Sequence, residues 1–322
     1  MRALIQDRYG GADVLQLTDV PVPAIHDGEV LVRVRAASLN AADVEYLRGD
    51  TIVRIAGPRR PPHRIPGSDV AGVVVEVGPN VADLALGDEV FGDVFTSGFG
   101  AFAQFVAAPA SSLTIKPADL TFEQVATLPQ AAALAWQSLH DERGVAPGDR
   151  VLISGAGGGV GTFAVQLAAA AGAEVTGVDR AAKEDLVRSL GAAHYVDFES
   201  QDYSRTGERY DRIVDVQAHR SVRAVRRALR PGGRYAIVGG RLTRIMETVV
   251  VGRLIARISD QRLGIVTWRS NDPGTMSALI ESIRDGHMTP VIERTYPLAD
   301  APEAFRRLAV GEIRGKVVIV ID

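Results

Sequence analysis

Residues 151–179 read Val-Leu-Ile-Ser-Gly-Ala-Gly-Gly-Gly-Val-Gly-Thr-Phe-Ala-Val-Gln-Leu-Ala-Ala-Ala-Ala-Gly-Ala-Glu-Val-Thr-Gly-Val-Asp, and this stretch constrains the fold most tightly. Val151-Leu152-Ile153 is a short apolar run, as expected of a parallel strand buried on both faces. Gly155, Gly158 and Gly161 follow at intervals of three, with extra glycines at 157 and 159. The spacing predicts a tight turn, then a helix over Thr162–Ala171 that Gly172 stops. Glu174–Val178 reads as a second strand, with Asp179 at its end. Strand, turn, helix and strand together form a complete βαβ unit.

Such a unit suits a dinucleotide. Glycine permits the tight turn and lets backbone N–H groups approach a pyrophosphate. Gly157, Gly158, Gly159, Val160 and Gly161 lead into the helix, whose positive end attracts phosphate. Asp179 stands where an acid binds ribose hydroxyls, which favours NAD. Arg180 and Lys183 follow at once and suit a 2′-phosphate, which favours NADP. The residues leave that choice open. The pattern is GxxGxxG rather than the strict GxGxxG, so its weight comes from the flanking strands and helix.

The bulk properties remove other classes. The 322 residues suffice for two domains. Net charge is −3, so no strong field recruits nucleic acid or an anionic membrane. There is no cysteine, which removes disulfides, thiolate catalysis and Cys-containing zinc sites. The composition fits a cytoplasmic protein. No apolar run is long enough to span a membrane.

The first 120 or so residues look β-rich. Glu29–Ala36 alternates like a half-buried strand, Val70–Val77 is a longer apolar strand, and further turn-plus-strand signals follow at 87–91 and 101–107. This is the profile of a small irregular barrel. Beyond Thr121, helical stretches alternate with strands at 195–197, 212–216, 235–238 and 263–267, which predicts a doubly wound parallel sheet. Helices are expected over Thr275–Asp285 and Pro302–Val310, and a last strand over Lys316–Ile321.

Motifs spread along the chain resemble the medium-chain dehydrogenase/reductase superfamily, in its zinc-independent, quinone-oxidoreductase-like branch. They include Ala37-Ser38-Leu39-Asn40-Ala41-Ala42-Asp43, Pro66-Gly67-Ser68-Asp69-Val70-Ala71-Gly72, Gly87-Asp88-Glu89-Val90 and residues 100–106. Gly158-Gly159-Val160-Gly161, Leu190-Gly191-Ala192 and Arg314-Gly315-Lys316-Val317-Val318-Ile319 complete the set. The resemblance implies an α/β protein: a GroES-like barrel from 1–123 and 266–322, and a Rossmann domain over 124–265. It implies an active cleft at their junction and cofactor contacts that extend to Phe198, Gln217, Gly239 and Lys316.

Zinc-dependent members carry Cys where this chain has Asn40, and Gly-His-Glu where it has Gly67-Ser68-Asp69. The six histidines lack ligand spacing. No zinc is expected. Without a metal to polarise a carbonyl, hydride delivery to a conjugated carbonyl or a quinone is favoured over alcohol oxidation. Asn40 is the first catalytic candidate, because the matching family position faces the nicotinamide. A Tyr that donates the proton in some relatives falls near Asp50-Thr51; Thr51 is a weak acid, so water is an alternative donor and Tyr46, one turn earlier, a fallback.

Three positions depart from the family. Leu134 stands where many relatives have Thr, Asp215-Val216-Gln217-Ala218-His219 where they read Asp-x-Val-Gly, and Phe198 where NADPH users have Tyr. Arg241, Arg244, Arg253 and Arg257 lie on an apolar stretch, Leu242–Ile258, that lines the substrate cleft in relatives. The expectation is a small-molecule reductase acting as a homodimer through an edge strand near Leu263–Arg269. The alternatives are a non-redox biosynthetic enzyme on this fold, such as a cyclase or isomerase with a vestigial cofactor site, or a cofactor-sensing binding protein.

Overall fold

Alternation of inward apolar and outward polar side chains turns the first third of the chain into strands. In the computed structural model, which describes residues 1–50 and 53–322, these are β1 (Arg2–Ile5), β2 (Gln16–Asp19), β3 (Glu29–Ser38), β4 (Asp69–Val77), β5 (Glu89–Asp93), β6 (Phe105–Pro109) and β7 (Leu113–Ile115). Six more follow: β8 (Arg150–Ser154), β9 (Glu174–Asp179), β10 (His194–Asp197), β11 (Tyr210–Asp215), β12 (Leu229–Ile237) and β13 (Arg262–Ile265). The last two are β14 (Ile292–Pro297) and β15 (Lys316–Val320).

Two units result. The first comprises Met1–Gln130, Ser270–Ile280 and Ile292–Asp322. Its main sheet runs β14-β15-β3-β4-β5-β7, with β6 also paired to β3. Register shifts at Leu31/Val32 and Val34/Ala36 bend the β3–β4 pair, as bulges do. The interior is filled by Val30, Val32, Val34, Val70, Val74, Phe102, Phe305 and Ile319, among others. At one end the filling changes character. Ser38, Asp69 and Asp93 lie in register across β3, β4 and β5, and all three are fully buried.

The second unit comprises Ala131–Arg269 and Glu281–Val291. Its six strands are all parallel, in the order β10-β9-β8-β11-β12-β13. The order reverses between β8 and β11, so the turn leaving β8 opens at the switch point where doubly wound sheets take ligands. Chain order alone assigns residues 281–291 to the barrel. Instead, the Gln166 side-chain amide donates to Thr289 O (3.0 Å) and accepts from Thr289 N–H (2.8 Å), which ties that piece to the Rossmann unit. Among the described residues no helix is long and apolar enough to cross a membrane.

Candidate functional site

The turn after β8 is built by glycine geometry. Gly155 takes a φ of +80° and its N–H donates to Val178 O (2.8 Å) on β9. The helix runs over Gly159–Ala170 with Gly158 as its N-cap, three residues earlier than the apolar pattern alone suggests. Its ladder begins with Thr162 N–H donating to Gly158 O, so the amides of Gly159, Val160 and Gly161 precede it and are the donors a helix start offers an anion. A Cβ on Gly161 would lie 2.0 Å from Gly155 O, so only glycine lets helix and turn touch here. A Cβ on Gly158 would meet nothing closer than Gly155 O at 3.4 Å.

Asp179 ends β9 and closes the turn from the other side. Its Oδ2 accepts Gly157 N–H (2.9 Å), and its Oδ1 accepts Arg180 N–H (2.9 Å). The Lys183 ammonium lies 3.8 Å from Oδ1, both side chains being nearly buried. The stem of Lys183 packs over Gly157, where a Cβ would come within 2.8 Å of it. Lys183 is therefore part of the turn's wall rather than a solvated helix start. Arg180 points its guanidinium at Glu199 (3.2 Å). Phe198 is 45% exposed beside them, and its N–H donates to Asp179 O. All these groups gather at one end of the β8–β9 pair, as the βαβ reading requires.

Beyond β11, Gln217 is exposed and its N–H donates to Asp215 Oδ1 (3.2 Å). Gly239 O accepts Ala218 N–H (2.9 Å), knitting the loops after β11 and β12 together. His219 is exposed, and burial together with the Arg241 charge lowers its pKa.

The barrel unit holds a second polar cluster. Asn40 caps the Ala41–Arg48 helix, and its N–H donates to Asp43 Oδ2 (2.8 Å). Its side-chain amide faces inward: Nδ2 donates to Asp69 Oδ2 (2.8 Å), and Oδ1 accepts from Lys316 Nζ. Ser38 Oγ also donates to Asp69 Oδ2 (2.7 Å). Lys316 Nζ donates to Leu39 O (3.1 Å) and lies 3.8 Å from Asp69 Oδ2. Asp93 accepts from Ser270 Oγ (3.1 Å) and from Phe95 N–H (2.7 Å).

These contacts redirect three sequence expectations. Asn40 is committed to Asp69 and Lys316 instead of offering its amide outward. Lys316 is fully buried inside the barrel, where a cofactor contact has no access to its ammonium. Tyr46 is buried, its OH accepting His63 N–H (2.8 Å) and donating to His63 O (3.1 Å), while its ring lies 4.4 Å from that of Phe99. Burial raises its pKa, so it is a packing residue and a poor acid. Thr51 lies outside the described residues.

Electrostatics in the cluster follow from desolvation. Burial raises Asp43 to about 7 against its bond from Asn40, and raises Asp93 to about 7 with help from the Asp69 charge. Burial also pushes Asp69 up and Lys316 down, while their mutual attraction opposes both shifts. Sequence reading passed over Ser38 and Asp93. The available signal was a polar residue at the end of an otherwise apolar strand.

Comparison with known proteins fits this geometry. Residues 26–118 match the family described as alcohol dehydrogenase GroES-like domain, and residues 190–319 match zinc-binding dehydrogenase. The chain is 32% identical to the mitochondrial NAD(P)H oxidoreductase RTN4IP1 of Bos taurus, covering 99% of this chain and 89% of the relative. It is 30% identical to 2-methylene-furan-3-one reductase of Solanum lycopersicum, over 99% and 79%. The solved quinone oxidoreductase from Coxiella burnetii superposes with a TM-score of 0.88 at 27% identity, covering 100% of this chain and 99% of that one. The chain belongs to the medium-chain dehydrogenase/reductase superfamily, in its quinone-oxidoreductase-like branch.

The zinc named in one family description does not fit the residues at the positions where zinc-dependent members carry their ligands. Asn40 and Ser68 are not zinc ligands of the usual kind, and the remaining carboxylate, Asp69, already faces the Lys316 ammonium. Among the described residues no group of three or more His, Cys, Asp or Glu could hold a metal ion.

Proposed function

We propose that this chain is an NAD(P)H-dependent oxidoreductase that delivers hydride to an α,β-unsaturated carbonyl or a quinone without a metal. The observation that carries the cofactor half is the Gly155–Gly161 turn, with its helix start and Asp179 assembled around it. A nicotinamide dinucleotide bound there supplies a hydride from its C4 carbon.

The amides of Gly159, Val160 and Gly161 bind the pyrophosphate, aided by the helix dipole. Asp179 and Lys183 face the adenosine ribose with opposite charges, so NADH and NADPH are both accepted. Gln217 and Gly239, on the loops after β11 and β12, orient the nicotinamide end. Lys316 Nζ is enclosed by Leu39 O, Asn40 Oδ1 and Asp69, so we take the acceptor to be one that is already electron-poor. A conjugated carbonyl or quinone meets that condition, because the incoming charge moves onto its own oxygen. Tyr46 is bonded to His63, which leaves water to protonate the resulting enolate. The names of RTN4IP1, of the furanone reductase and of the Coxiella enzyme support this class of reaction.

Gly158→Val tests the reading. The Cβ at position 158 has room, so the variant should fold, while its branched side chain obstructs the pyrophosphate. Fluorescence titration with NADH and NADPH, and consumption of each against a panel of quinones and enones, should show cofactor binding in the wild type and at least tenfold weaker binding in the variant. Unchanged affinity in a folded variant would refute the site. Tight cofactor binding with no turnover of any conjugated acceptor would refute the reaction.

A further inference from the structure

Two loops of the barrel unit, more than thirty residues apart in sequence, meet through aromatic rings. Phe95 lies edge-on to Phe99 with ring centroids 5.0 Å apart, and the His63 ring lies 5.9 Å from that of Phe99. Tyr46 backs the group, 4.4 Å from Phe99. Phe95 is 36% exposed and His63 is exposed, whereas Phe99 and Tyr46 are buried. Phe99 takes a φ of +64°, the left-handed region that a bulky side chain rarely adopts. Gly98 and Gly100 on either side also have positive φ. A Cβ on Gly98 would lie 3.3 Å from the His63 ring, so this loop runs close against it.

The loop that carries His63 is held at several points. The Tyr46 hydroxyl clamps both polar atoms of the His63 backbone, at 2.8 and 3.1 Å. The Tyr9 hydroxyl donates to Gly57 O (2.6 Å) and to Arg60 O (3.2 Å). A Cβ on Gly57 would lie 2.2 Å from Arg60 O, so glycine lets the turn close. Arg64 makes two bonds to Asp7, at 2.6 and 3.1 Å. A backbone fixed at 57, 60, 63 and 64 presents its side chains from set positions.

That loop is strongly basic in a chain of net charge −3. Between Asp50 and Asp69 the sequence holds four arginines and no acid. Two of them are engaged. Arg64 faces Asp7, and Arg54 donates to Gly49 O (2.7 Å) and lies over the Tyr9 ring (4.6 Å). Arg59 and Arg60 are exposed and have no acid within ion-pair distance among the described residues. Asp7 also feels the Arg60 charge, yet both its oxygens are bonded to Arg64. Only Pro61 and Pro62 separate Arg60 from His63, so their Cα atoms are at most roughly 11 Å apart.

We propose that these rings and the two arginines recognise the acceptor, and that it is a planar aromatic quinone bearing an anionic group such as a carboxylate. The inference rests on the reductase reading and narrows it. Ring faces and edges at Phe95 and His63 suit a flat conjugated ring better than an aliphatic enone. The guanidinium forks of Arg59 and Arg60 suit an oxyanion attached to that ring. Tyr46 and His63 lie either side of Asp50-Thr51 in sequence, the stretch to which the resemblance assigns a proton donor. The reduction is the one already proposed: quinone, hydride and one proton from water give the hydroquinone and the oxidised dinucleotide.

Calorimetric titration of the full chain with 2-naphthalenesulfonate and with uncharged 2-naphthol tests the proposal without cofactor or turnover. The proteins compared are wild type, the double variant Arg59→Gln/Arg60→Gln, and Phe95→Ala. Both arginines are exposed, so glutamine there spares the core. Wild type should bind the sulfonate at least tenfold more tightly than the naphthol, and that preference should shrink as salt rises. The double variant should lose the preference, and Phe95→Ala should weaken both probes. Steady-state reduction of 1,4-naphthoquinone-2-sulfonate and of 1,4-naphthoquinone should show the same preference in KM, lost in the double variant. Equal binding of the two probes by wild type, or a preference that survives the double variant, would overturn the proposal. Turnover of both quinones without a charge preference would overturn it while leaving the reductase reading intact. An arginine-dependent preference in binding with no turnover of either quinone would instead refute that reading, and with it the identity of the ligand as an acceptor.

Discussion

Asp43 offers a quantitative test of the barrel cluster. Its carboxyl is fully buried, with one oxygen accepting the Asn40 N–H and the other, Oδ1, without a hydrogen-bond partner among the described residues. Its pKa stands at about 7, against an ordinary value of 3.8. Below pH 4 both folded and unfolded chains hold the proton. Between pH 4 and 7 only the folded chain holds it, so folding takes up a proton and rising pH weakens the fold; above 7 that contribution is gone. At about 1.4 kcal/mol per pH unit, the loss across this window is on the order of 4 kcal/mol. Asp93 adds a loss in the same direction and the same window. Asp43→Asn keeps an acceptor for Asn40 N–H and cannot ionise. Whatever fixed cost the amide carries, the stability of the variant relative to wild type should rise by roughly 4 kcal/mol between pH 4 and pH 8. Urea unfolding followed by circular dichroism, at about pH 4, 6 and 8, measures the difference. A difference constant to about 1 kcal/mol across that range would show that Asp43 is ionised in the fold, and the desolvation argument would fail.

Four further outcomes are expected. Lys316→Met should destabilise the chain by about 3–5 kcal/mol, because it strands Asp69 in the interior, and adding Asp69→Asn should restore much of the loss in urea unfolding. Gly161→Ala should lower the melting temperature far more than Gly158→Ala, since the first places a Cβ 2.0 Å from Gly155 O and the second has space. Asp179→Ser should shift preference toward NADPH and Lys183→Ala toward NADH, each by about 1 kcal/mol in the ratio of dissociation constants; if neither constant moves, the adenosine end lies elsewhere. Light scattering at micromolar concentration should give the mass of a homodimer, since β13 leaves a sheet edge unpaired within the chain, and a monomer mass would refute the edge-strand contact.

The sequence made the Rossmann unit legible because its signals are local. Glycine spacing, an apolar strand and a terminal acid sit within thirty residues, and the structure assembles them as their order implies. The helix began earlier than expected because Gly159-Val160-Gly161 carries no periodic apolar signal, although close packing against Gly155 makes it helical. The barrel cluster was opaque because it is non-local. Asn40, Asp69, Asp93 and Lys316 come from four separate stretches, and only the strand register brings them together. A motif residue such as Asn40 or Lys316 shows its position in sequence but not which way its side chain faces. The ring group was hidden for the same reason. Phe95, Phe99 and His63 read as scattered residues until the barrel brings their two loops together.

Charge balance links the cluster to the proposed chemistry. Three carboxyl groups and one amino group share the interior end of the barrel, and all four are buried. All ionised, they would leave two uncompensated negative charges in a low-dielectric site, which is costly. Raising Asp43 and Asp93 to about 7 lets protons cover two carboxyls below neutral pH, and Lys316 faces the third. Protonation of those two carboxyls moves the cluster toward neutrality as pH falls. Lys316 cannot also act as an electrophile toward a substrate oxygen, because Leu39 O, Asn40 Oδ1 and Asp69 surround its nitrogen. A simple ketone needs such an electrophile to accept hydride. A conjugated carbonyl or quinone spreads the incoming charge over its own π-system and needs it far less. The interior lysine therefore narrows the proposed substrate class to acceptors that are activated before they arrive.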